Sequence, residues 1–224
     1  MSEGATWCVL VAAGSGERLG GDLPKAFAAL GGRPLLAESL ERLDASDWID
    51  AIVVVAPPEW EEPAILLAEE LVVSKVAAVV PGGATRADSV AAGLAEVPGD
   101  ALVVLVHDAA RPLVSEAVIE RVLGGLATGA DGVVPGLALA DTVKRVEGRR
   151  VVETLEREAL VGVQTPQAFV ATALRVAYAG DRAGATDCAS LVERSGGRVV
   201  VVEGDAALLK ITTAADLARV ESLL

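Results

Sequence analysis

Two six-residue segments, Ala51–Ala56 (AIVVVA) and Ala101–Val106 (ALVVLV), carry no polar side chain. A strand with one wet face alternates polar and apolar residues. A strand that is apolar throughout must be covered on both faces, as parallel strands joined by crossover helices are. Thr6–Ala12, Ala77–Val80, Asp131–Pro135 and Arg198–Glu203 read as further strands, and Leu208–Thr212 as a short late one. Helical patterns lie between them: Leu35 to Leu43, Pro63–Leu71, Thr85–Leu94, a helix capped by Ser115 to about Ala127, Ala171–Tyr178, and one after Thr186-Asp187. A last helix opens at Thr213, with Asp216 in the capping-box position. The alternation predicts an α/β fold, a doubly wound and mostly parallel sheet, with residues 1–224 as a single domain.

The rhythm changes after Pro135. Leu137–Glu158 has no helical period, and Thr142–Val146 with Arg149–Thr154 reads as a hairpin around Glu147-Gly148. The segment is too long for an ordinary connection and too patterned for a disordered one. A two-stranded ribbon is marginal alone, so this inserted β-arm is expected to pack on something, and a twofold partner is a natural candidate.

Charge narrows the function. With 32 acidic residues against 19 Lys and Arg, the net charge is −13. Such a chain repels nucleic acid and anionic membrane surfaces overall, so phosphate binding needs a local group of cations. There are four lysines, Lys25, Lys75, Lys144 and Lys210. No apolar run reaches the roughly 18 residues that span a bilayer, and no basic segment precedes the first apolar run, so neither a membrane span nor a signal peptide is expected. Cys8 and Cys188 form no spaced motif and read as buried or incidental thiols, which fits a cytoplasmic protein.

Three loops follow strands, where ligands of open α/β sheets bind. The first carries Gly14, Gly16 and Gly20, a G-x-G-x-x-x-G spacing one residue too long for a dinucleotide fingerprint, and it lacks the Gly-Lys-Ser/Thr of a Walker loop. It adds two cations, Arg18 and Lys25. Fixed positive charge suits a phosphoryl group under attack, where charge accumulates on the non-bridging oxygens; a surface loop with incidental cations is the plainer alternative. The second loop, Pro81-Gly82-Gly83-Ala84-Thr85-Arg86, places a cation at a helix N-terminus, although its glycines are equally those of a simple turn. The third, His107-Asp108-Ala109-Ala110-Arg111-Pro112, offers Asp108 either as a Mg²⁺ ligand beside phosphates or as a turn cap paired with Arg111. His107, the single histidine, reads as a packed or hydrogen-bonded residue rather than an acid–base catalyst.

The segments AAGSGERLG…PKAF, PGGATRADSV, VHDAARP, DTVKR, QTPQAF and LKIT, in this order and spacing, resemble the 2-C-methyl-D-erythritol 4-phosphate cytidylyltransferase family over nearly the whole chain. The resemblance implies a Rossmann-like nucleotidyltransferase fold. It also implies transfer of CMP from CTP to 2-C-methyl-D-erythritol 4-phosphate, with release of diphosphate, in isoprenoid precursor synthesis by the non-mevalonate route. Mg²⁺ is the implied cofactor. Arg18 and Lys25 would stabilise the α-phosphoryl transition state. Ala12, Ala13, Gly14, Gly16, Gly83, Arg86, Ser89 and Ala109 would hold the nucleotide, and Asp108 the metal. Asp141, Thr142, Arg157 and Lys210 would hold the acceptor, with Arg157 and Lys210 drawing its phosphate into line. Arg157 would come from the arm of a partner subunit, which implies a homodimer with exchanged arms. Three positions depart from the family's pattern: Ala84, where many relatives carry a polar residue; Leu208, in place of the usual Asn; and Cys188, where an acidic residue is common. A ribitol-5-phosphate or other sugar-phosphate cytidylyltransferase is the alternative activity, and a catalytically silent nucleotide-binding module the alternative from another class.

Overall fold

The computed structural model describes residues 5–16, 19 and 23–224. Its main sheet is built from β1 (Thr6–Val11), β4 (Ala51–Ala56), β5 (Val76–Pro81), β6 (Val103–Asp108), β7 (Gly132–Ala138), β10 (Val161–Val163), β11 (Gln167–Val170) and β12 (Val199–Glu203), with two small ribbons, β2 (Ala29–Leu30) with β3 (Arg33–Pro34), and β8 (Lys144–Glu147) with β9 (Arg150–Thr154). β5, β4, β1 and β6 run parallel in that order. β11 then pairs antiparallel to both β6 and β7, and β12 continues parallel on β7. The sheet is therefore mixed and mostly parallel.

The apolar strands are covered on both faces, as their composition requires. Cys8, Leu10, Ile52, Val54 and Leu105 pack with α1 (Leu35–Asp44), α2 (Glu61–Glu70) and α4 (Glu116–Leu126). Their neighbours in sequence, Val9, Val53, Val55, Val104 and Val106, pack with α3 (Arg86–Ala95), α5 (Ala171–Ala179) and α6 (Cys188–Arg194). The final helix, α7 (Ala214–Glu221), closes a smaller cluster around Leu30, Leu35, Leu113 and Ile211. No helix among the described residues is long and apolar enough to cross a membrane.

Several expectations move. α2 starts at Glu61, two residues before Pro63, because proline is tolerated in a first turn whose N–H groups have no intrahelical partner. β6 starts later, at Val103, and runs on to Asp108, since its ladder with β1 continues to the Val11–Asp108 pair. Ser115 stands at the N-cap of α4 without a side-chain cap bond. The Thr213–Asp216 capping box forms as read. Leu208–Thr212 is not a strand. Leu208 enters the main core and Ile211 the smaller cluster, so successive side chains serve different neighbours instead of alternating on one sheet. β10 and β11 lie in the stretch after Pro135 where the sequence predicts no strand beyond the hairpin, and both run antiparallel along β7. The arm hairpin forms one or two residues from its expected limits, with Gly148 at φ +59° in its turn.

Candidate active site

The loops after β1, β5 and β6 leave the carboxyl edge of the sheet side by side. Each is anchored to a neighbouring strand: Ala12 N–H donates to Val55 O at 2.8 Å, Gly82 N–H to Ala56 O at 2.8 Å, and Ala109 N–H to Val11 O at 3.0 Å. They enclose a cavity of about 510 Å³. Ala12, Ala13, Gly14, Lys25, Gly83, Arg86, Ser89, Asp108, Ala109 and Lys210 all border it, so ten of the residues singled out from the sequence meet in one place. Arg18 lies outside the described residues.

The glycines are there for close approach. A Cβ on Gly82 would fall 2.2 Å from that of Ala13, and one on Gly83 would fall 2.4 Å from that of Asp88. Neither gap accommodates a methyl group, so the pair does more than turn the chain. Gly16 does not border the cavity. It has φ +77°, and a Cβ on it would meet the Cβ and N of Lys25 at 3.0 Å, so it lets the Lys25 turn close onto the first loop. Thr85 caps α3 by accepting from Asp88 N–H, which leaves the helix N-terminus at the cavity wall. Buried Ser89 accepts from Gly83 N–H at 3.1 Å and donates to Thr85 O at 3.0 Å, so its hydroxyl shapes the second loop from within.

Asp108 is the electrostatic centre. Its Oδ1 accepts from Arg86 Nε at 2.9 Å and Nη2 at 2.8 Å, and its Oδ2 accepts from Lys210 Nζ at 2.7 Å. Burial by itself would raise this carboxyl's pKa, but the two cations more than offset that and hold it well below the usual carboxylate range. Arg111 is not its ion-pair partner. It donates instead to Leu208 O at 2.6 Å, while Ile211 N–H donates to Ala110 O and Lys25 Nζ donates to Ile211 O, both at 2.8 Å. These bonds seat the irregular 208–212 segment and bring Lys210 to Asp108. The first of them uses the carbonyl of Leu208, which any residue at that position would supply.

His107 is fully buried, and burial lowers its pKa to about 4, so it is neutral. The carbonyl of Arg111, 3.1 Å from Nε2, can only accept; Nε2 therefore carries the proton and Nδ1 accepts from the Thr165 hydroxyl at 3.2 Å. That hydroxyl also accepts from Asp108 N–H at 3.0 Å. Sequence reasoning assigns QTPQAF no role of its own. In the fold, Gln164 bonds both backbone groups of Asp205, Thr165 braces Asp108, and Gln167 donates to Asp187. Polar residues next to a proline with no helical or alternating pattern were the available signal.

The arm residues are not brought together with the others. Asp141, Thr142 and Arg157 are exposed at the base of the hairpin and do not border the cavity. Arg157 donates to Ala140 O and pairs with Glu158.

A cavity bordered by Lys25, Arg86 and Lys210, on a chain of net charge −13, gathers the local cations that phosphate binding would need. Comparison with known proteins agrees. The profile of the 2-C-methyl-D-erythritol 4-phosphate cytidylyltransferase family matches residues 6–224. A protein of Nocardia farcinica bearing that name is 49% identical over 224 residues, covering 100% of this chain and 95% of its own length. The crystal structure of the enzyme of that name from Thermus thermophilus superposes with a TM-score of 0.79 at 37% identity, covering 96% of each chain. That of 4-diphosphocytidyl-2C-methyl-D-erythritol synthase from Anaerococcus prevotii superposes with a TM-score of 0.84 at 27% identity, covering 99% of each. With its fold and nearly its whole length matched, the chain belongs to the 2-C-methyl-D-erythritol 4-phosphate cytidylyltransferase family.

Proposed function

We propose that this cavity performs the family's reaction, transfer of a cytidylyl group from CTP to 2-C-methyl-D-erythritol 4-phosphate, chiefly by alignment and charge neutralisation. An oxygen of the acceptor phosphate forms a bond to the α-phosphorus of CTP. The bond from that phosphorus to the bridging oxygen breaks, and diphosphate leaves with the electron pair. The acceptor phosphate is already largely anionic at neutral pH, so no proton need be removed, in keeping with a site whose one histidine is buried and neutral. Lys25 and Arg18 offset charge developing on the α-phosphoryl oxygens. Ala12, Ala13, Gly14, Gly83, Arg86, Ser89 and Ala109 form the nucleotide wall, and Gly16 seats Lys25 beside it. Lys210, with Asp141, Thr142 and Arg157, aligns the acceptor.

Asp108 suits a divalent cation. It is an ionised carboxylate bordering the cavity, the oxygen-donor chemistry that Mg²⁺ prefers. Asp108 would hold the Mg²⁺, which would supply positive charge against the triphosphate, while Lys210 at the same cavity would meet the acceptor phosphate.

The chain acts in the cytoplasm as a single domain and as a homodimer with exchanged arms. The support for the dimer is the arm itself: Val146 and Val151 are each 55% exposed, and Arg157 does not border the cavity of its own chain. The observation that carries the catalytic reading is Asp108 held between Arg86 and Lys210 in a cavity also bordered by Lys25. The test is diphosphate release from CTP with 2-C-methyl-D-erythritol 4-phosphate or ribitol 5-phosphate as acceptor. Turnover with the first is expected. Preference for the second, or turnover with neither, would overturn the reading.

A further inference from the structure

Two edges of the Arg86 guanidinium face different groups. Nε and Nη2 bind Asp108, whereas Nη1 lies 3.6 Å from Cys188 Sγ. Behind that sulfur stands the Tyr178 hydroxyl, 3.2 Å away. Cys188 is fully buried, Tyr178 nearly so, and neither borders the cavity. Tyr178 comes from the last turn of α5 and Cys188 from the first residue of α6. The start of α6 is itself pinned, since Asp187 accepts from Ser190 N–H at 3.0 Å and from Gln167 Nε2 at 3.1 Å. The result is a continuous line from Tyr178 through Cys188 and Arg86 to Asp108.

We propose that Cys188, oriented by the Tyr178 hydroxyl, is a positioning residue for Arg86, fixing the plane in which its guanidinium meets Asp108 and the nucleotide. A guanidinium is flat and donates in fixed directions, so an acceptor on one edge sets the direction of the others. The sulfur accepts from Nη1, and its hydrogen bond with the Tyr178 hydroxyl, in which either atom can donate, fixes its place. Burial raises the pKa of the thiol, which stays neutral and does not compete with Asp108 for the charge of Arg86. The proposal rests on the reading of Arg86 as a nucleotide-binding residue.

Steady-state kinetics of the full chain test it with Arg86→Ala, Cys188→Ala, Cys188→Ser, Tyr178→Phe and the double variant Arg86→Ala/Cys188→Ala. Loss of an acceptor for a charged donor should raise KM for CTP about tenfold in Cys188→Ala with little change in kcat. Cys188→Ser, whose hydroxyl accepts in the same place, should return it to within about twofold of the parent chain, and Tyr178→Phe should raise it about threefold. The double variant should match Arg86→Ala alone, because the thiol acts only through that side chain. If Arg86→Ala raises KM and Cys188→Ala does not, positioning is refuted while the nucleotide reading stands. An added effect of Cys188→Ala in the Arg86→Ala background also refutes it. An unchanged KM in Arg86→Ala overturns both readings. Should Cys188→Ala fail to fold, Tyr178→Phe decides by itself, since it removes one oxygen and no bulk: a rise supports the line of contacts and an unchanged KM ends it.

Discussion

The cavity wall and the arm are both made of irregular or two-stranded segments, yet they are held in opposite ways. Around the cavity, polar groups are tied to distant parts of the same chain: Arg86 and Lys210 to Asp108, Lys25 to Ile211, Thr165 to Asp108 and His107. In the arm, β8 and β9 pair with each other, every residue of both strands is exposed, and Arg157 bonds only near neighbours in the described contacts. A segment whose bonds close over the whole fold is fixed by its own chain. A ribbon that bonds mainly to itself and presents valines to solvent leaves open what it packs on, which is the contact proposed above.

The largest expected effect sharpens the cavity side. Lys25→Ala should lower kcat by about two to three orders of magnitude, in line with the loss of a transition-state donor, and Arg18→Ala should do the same. Near-normal kcat in either folded variant would remove that residue from the mechanism. The arm side is broken or kept by mixing Lys25→Ala subunits with Arg157→Ala subunits under conditions that let dimers exchange. If Arg157 serves the partner's cavity, mixed dimers hold one intact site and activity recovers to about a quarter of the parent level at equal mixing. No recovery, with exchange verified by mass spectrometry, would place Arg157 outside a shared site.

Stability separates the regions further. His107 has a folded pKa of about 4, below its unfolded value near 6.5, so the unfolded chain takes up a proton first as pH falls. Stability should therefore decline between pH 6.5 and 4 by up to about 3 kcal/mol, and level off in this respect below that. Urea denaturation across that range should show the decline, and it should be lost in His107→Gln. Asp108 acts at lower pH: its folded pKa is depressed, so its contribution is fully present above the ordinary carboxylate pKa of about 4 and is lost progressively as pH falls from there towards the folded value, because the unfolded chain protonates first.

Two glycines give the smallest effects and the most direct contrast. Gly82→Ala forces a methyl group to within 2.2 Å of Ala13 and should cost about 1–3 kcal/mol, seen as a lower Tm together with weaker CTP binding. Gly148→Ala in the arm meets nothing within 4 Å and carries only the strain of φ +59°, about 1 kcal/mol. Its Tm should fall less and its KM for CTP should not move. Equal effects on CTP binding would break the distinction between the two regions.

Much of the architecture was legible because it is local. The apolar runs of β4 and β6 demand burial on both faces, and the Thr213 box is complete within four residues. The site was legible in its members, since all three loops leave strands of one sheet, but not in its contacts. Arg86 and Lys210 stand 22 and 102 residues from Asp108, and no periodicity encodes that both end on one carboxylate. The short strands β10 and β11 escaped for a related reason. Three or four residues carry too little pattern to declare a strand, and they become strands only because neighbouring strands, β7 for β10 and both β6 and β7 for β11, offer them backbone partners.

By itself, then, the sequence determined the layered α/β fold, the three loops at one edge of the sheet and the cations available there. These follow from side-chain burial and backbone preference, which act over a few residues. Only the tertiary structure decided that Asp108 is clamped by two cations, that His107 is neutral with Nε2 protonated, that Gly82 and Gly83 serve close approach, and that Cys188 stands behind Arg86. Those depend on distances between residues remote in the chain, and such distances exist only once the helices and strands have packed.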